Sequence, residues 1–366
     1  MLKPTDHFHG SDLEKIESLY QIRKEDIVSF SANVNPLGLS EQFKQRLAQK
    51  LDVITSYPDR EYTRLRTAIG NYCGTDSRHI IVGNGSTELI SLMIQLRCPK
   101  KAMILGPTYS EYEREVTLNG GSCFYFPLEE ALDFVPDVAK LTAALCEDID
   151  LLILCNPNNP TSSVITTQQM RQILDTCRQL NIFIMVDETY IEFVSDTENV
   201  SAVPLTTDYD NLVILRGVSK FFAAPGLRLG YAVTGSDSLL RTISEKQNPW
   251  TVSSIADTAG QLLFEDKDYI LKTRKLISSE RDRIQTLLSE TDGLKAYPAH
   301  ANFVLVRSLR KDVTAADLFD TAIRQGLMIR NCSTFAFLDE SYFRFCYMKP
   351  EDNDRLISCI REVFSR

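Results

Sequence analysis

Five short apolar runs punctuate the first two-thirds of the chain: Ile80–Val82, Met103–Leu105, Leu151–Leu154, Ile182–Val186 and Val213–Leu215. Each is continuous rather than alternating, which predicts strands covered on both faces, as in a parallel sheet. The stretches between them, such as Thr87–Leu96 and Gln168–Leu180, are patterned like helices, so the chain reads as repeated β-α-β units. Beyond Tyr231 the pattern changes. Ile270, Ile277, Ile284 and Leu288 recur every seven or four residues and predict one apolar stripe on a long helix. Shorter strand-like pieces, Phe303–Val306 and Phe343–Cys346, follow it. The expected class is α/β. An arm over residues 1–30 precedes a large doubly wound, mostly parallel sheet domain over 31–240; a smaller C-terminal α/β domain with a linking helix spans 241–366.

Composition narrows the partners. With 366 residues and 43% apolar content the chain can fill large cores. Its net charge of −9, with no cluster of Lys or Arg, argues against nucleic acid or an anionic membrane as partner. No apolar run approaches the roughly 18 residues of a spanning helix, and the opening MLKPTDHFHGSD has no apolar signal core. Nine scattered cysteines without CxxC spacing suit a reducing cytoplasm, the expected location. Four histidines without HxxxH or HExxH spacing give no case for a metal site.

In open parallel sheets ligands bind at the carboxyl ends of strands, and the unusual residues of this chain fall there. Ile80–Val82 runs into GNGSTE, where Gly85, Ser86 and Thr87 open a helix whose free N–H groups form a phosphate seat; the same residues also describe an ordinary N-cap. Leu151–Leu154 ends in CNPNNPT, whose Asn159 can present an amide. Ile182–Val186 ends in VDETY; Asp187 there needs a cation or donors unless it merely caps a helix. Val213–Leu215 leads to Ser219, Lys220 and Arg228 inside apolar sequence. A lysine in poor dielectric loses its proton and becomes a nucleophile able to form a Schiff base, although a solvated loop lysine is the plain alternative. A buried arginine needs an anion, and phosphate suits its fork. An amide, an acid, a lysine and an arginine at neighbouring strand ends are what pyridoxal 5'-phosphate requires. Lys220 would hold the aldehyde, Asp187 the pyridine nitrogen, and Asn159 and Tyr190 the phenolate oxygen. Gly85, Ser86, Thr87, Ser219 and Arg228 would hold the phosphate. Tyr109 would stack on the ring or serve only as a core aromatic.

Taken in order, NPLG, YPD, GNGSTE, PTY, NPNNPT, VDETY, SKFFAAPGLRLGY and YFRF resemble the fold-type I pyridoxal-phosphate enzymes of the class I/II aminotransferase group over nearly the whole chain. That resemblance implies a homodimer in which Tyr57 of YPD reaches the partner's site, and it assigns Arg344 of YFRF to the substrate carboxylate. One departure is Gly217, where many members carry a hydroxyl three residues before the lysine. Two branches are similar: histidinol-phosphate aminotransferases and the threonine-phosphate decarboxylases of cobalamin synthesis. The decarboxylase branch fits better through HFHGSD before FSANVNPLG, the Pro-Trp pair at Trp250, and MIRNC near YFRF. This implies a small phosphorylated amino acid as substrate, held by His9, Gly10, Ser11, Asn33, Arg330 and Arg344. Arg330 could instead pair with Asp339 or Glu340. Met348 stands where decarboxylase-like chains often have a second arginine. Two readings from other classes fit less well. A regulatory domain would carry a basic DNA-binding segment, and a nicotinamide oxidoreductase would carry a full G-x-G-x-x-G.

Overall fold

A computed structural model describes residues 12–365. Its large sheet has seven strands in the order Ile80–Gly83, Gly230–Val233, Leu212–Gly217, Phe183–Asp187, Leu151–Cys155, Lys101–Gly106, Ser122–Pro127. Gly230–Val233 is antiparallel to both neighbours, and the remaining pairings are parallel. The continuous apolar runs have a direct cause. Side chains alternate between the two faces of a strand. Leu152, Leu154, Ile184, Val186 and Ile214 enter one core cluster, while Leu151, Ile153, Met185, Val213 and Leu215 enter the other. Helices Gly85–Arg97 and Thr167–Gln179 cover this sheet, the second opened by a reciprocal Thr166–Gln169 capping box.

Two strands of the sheet escape the apolar-run pattern. Ser122–Pro127 lies at the edge and is only partly buried, so it lacks a continuous apolar signature. Gly230–Val233 follows directly on the loop after Lys220 and is only four residues long.

Beyond it, Lys267–Ser289 forms the long helix and buries Ile270, Ile277, Ile284 and Leu288. An antiparallel four-stranded sheet follows, ordered Arg330–Asn331, Tyr342–Cys346, Phe303–Ser308, Leu294–Ala296. The segment after helix Leu13–Tyr20 is tied to this second unit: Val28–Ser29 pairs in parallel with Leu327–Met328, and the Cys346 N–H donates to the Phe30 carbonyl at 2.9 Å. That pairing carries residues 30–35 across the carboxyl ends of the large sheet, beside Lys220 and Arg344. Among the described residues no helix is long and apolar enough to cross a membrane.

Candidate active site

Lys220 lies three residues past the end of Leu212–Gly217, where the chain leaves the sheet. Its Nζ donates to the Ala32 carbonyl at 2.7 Å, and its own carbonyl accepts from the Asn35 N–H at 3.0 Å. Burial, then repulsion from Arg344 and more weakly from Arg228, lowers the amine from 10.5 to about 8. No carboxylate pairs with it among the described residues, so its neutral form is reached closer to neutrality than in a free lysine.

Asp187 ends the adjacent strand and is buried. One oxygen accepts from Tyr112 Oη at 2.7 Å; the other accepts the Thr189 N–H and hydroxyl at 2.9 and 2.5 Å. All three donors are neutral. Burial raises the carboxyl and these hydrogen bonds oppose it. Tyr109 meets Tyr112 edge-on at 5.5 Å between ring centres, so it belongs to the same wall.

Helix Gly85–Arg97 begins with Gly85 at a φ of +83°; the Asn84 side chain does not cap it, and Glu88 accepts the Asn84 N–H at 2.8 Å. A Cβ on Gly85 would lie 2.2 Å from Arg228 Nη2, and one on Gly230 would lie 2.5 Å from Ser86 N. The glycines thus let the guanidinium and the neighbouring strand press against the helix N-terminus. Arg228 reaches only carbonyls, Asn84 at 3.4 Å and Pro225 at 3.3 Å, and has no carboxylate partner among the described residues. Ser86 and Thr87 sit in the first turn, and a Cβ on Gly217 would be 3.7 Å from Ser86 Oγ.

The third group surrounds Arg344, buried on strand Tyr342–Cys346. It donates through Nη1 to Asn159 Oδ1 and through Nη2 to the Ser31 carbonyl at 2.8 Å, while its Nε has no partner. Asn33 donates to Tyr190 Oη at 3.3 Å and leaves its own buried Oδ1 unsatisfied. Burial also raises the Tyr190 phenol. Arg330 stands directly opposite Arg344 in the strand register. Its contacts are Thr334 Oγ1 at 3.2 Å and the Phe335 ring; Asp339 instead accepts from Ser341. The acidic pairing open to Arg330 in the sequence is therefore absent among the described residues.

Not every candidate joins these contacts. Tyr57 is 80% exposed and lies tilted against Trp250 at 4.8 Å between ring centres, facing away from its own chain's core. Ser219 makes no hydrogen bond through its side chain among the described residues. His9, Gly10 and Ser11 lie outside the described residues. Sequence reasoning missed Tyr112, Thr189 and Ser31. Tyr112 lies in the first turn of helix Glu111–Leu118, just past Tyr109, and local spacing gave no sign that it would reach Asp187. Ser31 contributes a backbone carbonyl, which no side-chain pattern reveals.

The aminotransferase class I and II family model matches residues 25–360. The chain belongs to the class I and II aminotransferase family. A relative from Caldanaerobacter subterraneus subsp. tengcongensis, provisionally named a threonine-phosphate decarboxylase, is 39% identical over 333 residues, covering 91% of this chain and 89% of its own. The threonine-phosphate decarboxylase of Salmonella typhimurium is 33% identical over 361 residues, 98% of this chain and 96% of its own. Among solved structures, the histidinol-phosphate aminotransferase from Clostridium acetobutylicum superimposes with a TM-score of 0.85 at 31% identity, covering 92% of this chain and 98% of that one.

This family member is an enzyme, and its cofactor is pyridoxal 5'-phosphate. The residues present fit that group. A buried carboxylate with only neutral donors suits a pyridinium N–H, and an arginine pressed on a helix N-terminus that the Asn84 side chain does not cap suits a phosphate.

Proposed function

We propose that this enzyme decarboxylates a phosphorylated amino acid, L-threonine O-3-phosphate or O-phosphoserine, the former giving (R)-1-aminopropan-2-yl phosphate for cobalamin synthesis. The observation that carries this reading is the Arg330–Arg344 pair. Side chains directly opposite in an antiparallel pair stand about 5 Å apart at Cβ, and like charges there destabilise a sheet. Neither arginine forms a salt bridge among the described residues, although the charge of Asp12 acts on Arg330. The pair therefore suits a ligand with two anions a few bonds apart. Threonine phosphate carries its carboxylate and phosphate ester on neighbouring carbons. Histidinol phosphate, the substrate of the second reading, has a phosphate and no carboxylate; the likeness to the Clostridium acetobutylicum enzyme keeps that reading open.

In this reading Asp187 would hold the pyridine nitrogen and Lys220 the aldehyde of the cofactor. Asn159 and Tyr190 would face its phenolate oxygen, and Tyr109 its ring. Gly85, Ser86, Thr87, Ser219 and Arg228 would take its phosphate. When bound, pyridoxal phosphate supplies a sink for the electron pair left at the substrate Cα. Arg344 binds the carboxylate and Arg330 the substrate phosphate, together with His9, Gly10, Ser11 and Asn33. Their joint hold orients the Cα–carboxylate bond for cleavage, and CO2 leaves without its bonding pair. Lys220, freed from the aldehyde once the substrate amine has taken its place, would then deliver a proton to Cα. The same reading divides the chain near residue 240 and makes it a cytoplasmic homodimer in which Tyr57 completes the partner's site.

The test offers purified enzyme O-phospho-L-threonine, O-phospho-L-serine, and histidinol phosphate with 2-oxoglutarate. CO2 released from a phospho-amino acid supports the decarboxylase. Glutamate formed with histidinol phosphate overturns it in favour of the aminotransferase, and turnover of plain amino acids alone defeats the two-anion argument.

A further inference from the structure

Behind the strand ends that bear Asp187 and Lys220 lies a second polar cluster, unused by the chemistry above. Glu188 follows Asp187 and turns to the other side of the strand, as alternation requires. Its N–H still bonds the Leu215 carbonyl at 2.8 Å, which keeps it tied to the next strand. From that strand Arg216 donates Nε and Nη2 to Glu188 Oε2 at 2.9 and 2.7 Å, and Nη2 also reaches Ser201 Oγ at 2.7 Å. The other Glu188 oxygen accepts the Ala202 N–H at 2.6 Å. The side chains of Arg216 and Glu188 are 6% and 0% exposed. Glu192, also buried, has no hydrogen-bond partner for either carboxyl oxygen.

Two charges buried this deeply cost several kcal/mol each to desolvate, and a pair of apolar residues would fill the space at less cost. What the ion pair adds is a directional link between two particular strands. Asp187 immediately precedes Glu188, and Lys220 comes four residues after Arg216. We propose that Arg216 and Glu188 are positioning residues, a buried brace that sets Asp187 against Lys220, and that Glu192 carries a proton so that Arg216 serves Glu188 alone. The inference rests on the reading that Asp187 and Lys220 hold the cofactor.

The surroundings of Glu192 are consistent with this. It faces Arg216, Glu188 and Arg274, with Tyr72, Cys73 and Tyr231 beside them. Burial raises its carboxyl from 4.5 to about 7, with Arg216 opposing. Because the folded value lies above the unfolded one, the stability from this proton is complete below about 4.5 and is lost as pH rises through about 7. Above that pH a second carboxylate competes for Arg216 and loosens its hold on Glu188.

Three variants test the brace and one tests the proton. Arg216→Met/Glu188→Met removes both charges at similar volume and should fold. Its kcat should fall about tenfold to a hundredfold, as for a reacting group displaced by a fraction of an ångström, with KM little changed. The pH midpoint of the cofactor's visible absorption band should shift. Arg216→Met alone should lose as much or fail to fold, and Arg216→Lys should recover part of kcat. In apoprotein melts, Glu192→Gln should match the wild type near pH 5 and exceed it by a few degrees near pH 8. Wild-type kcat and band midpoint in the double variant overturn the brace. If the double variant does not fold, wild-type kcat in Arg216→Lys, which keeps the charge but loses the fork, overturns it instead. A melting difference independent of pH overturns the proton on Glu192. Absence of any borohydride-sensitive band in the wild type would instead defeat the Lys220 reading, an outcome distinct from an unshifted midpoint.

Discussion

Replacing Gly85 with alanine probes the phosphate seat through its backbone. At a φ of +83°, a residue with a Cβ costs about 1–2 kcal/mol more than glycine. The new Cβ would also stand 2.2 Å from Arg228 Nη2 and 2.8 Å from its Cζ, so the guanidinium must retreat by about 1 Å or more to reach ordinary contact. A hydrogen bond between a charged guanidinium and phosphate contributes about 1.5–3 kcal/mol, and its loss weakens affinity by about tenfold to a hundredfold. Folding should lose only that backbone strain, because Arg228 has no ion pair among the described residues to lose. The assay is titration of apoprotein with pyridoxal phosphate and, separately, with pyridoxal. Gly85→Ala should weaken the first by the stated factor and the second by less than about twofold, since only the first carries the anion. Adding Arg228→Ala to Gly85→Ala should cost little more, because both remove the same contact. Equal weakening of both ligands, or no weakening of pyridoxal phosphate, refutes the placement of Arg228 at the cofactor phosphate.

Other consequences follow from the same geometry. Lys220→Met should abolish turnover, and retention of a tenth of wild-type rate would sink the lysine's role. In apoprotein melts, wild-type stability relative to Lys220→Met should rise as pH climbs from about 8 to 10.5, because over that window the fold binds fewer protons at this amine than the unfolded chain. Asp187→Asn should lower the rate by roughly a thousandfold or more through lost electrostatic stabilisation; an unchanged rate would reduce the aspartate to a cap. Arg330→Ala should weaken phosphorylated substrates by about 2–4 kcal/mol in competition assays and leave an unphosphorylated amino acid nearly unaffected. Equal loss on both would remove the phosphate from Arg330.

The strand ends were legible because burial on both faces leaves continuous apolar runs, and the polar residue that ends such a run stands out. Asp187 and the Gly85 turn were visible in this way. The partners that hold them were not. Tyr112 reaches Asp187 across 75 residues of chain, and Arg344 reaches Asn159 and Ser31 across 185 and 313. Arg216 and Glu188 are 28 residues apart and looked like ordinary polar residues flanking apolar strands. No local spacing records such meetings.

By itself, then, the order of apolar runs, glycines and strand-terminal polar residues determined the class of fold and the kind of cofactor, because both depend on short-range rules of burial and backbone freedom. The tertiary structure alone decided that Arg330 stands opposite Arg344 with no salt-bridged acid among the described residues. It alone lowered the Lys220 amine to about 8 and threaded residues 30–35 beneath Arg344. Register and dielectric are properties of the packed interior, where a single residue's slip moves a charge to the other face or back into water.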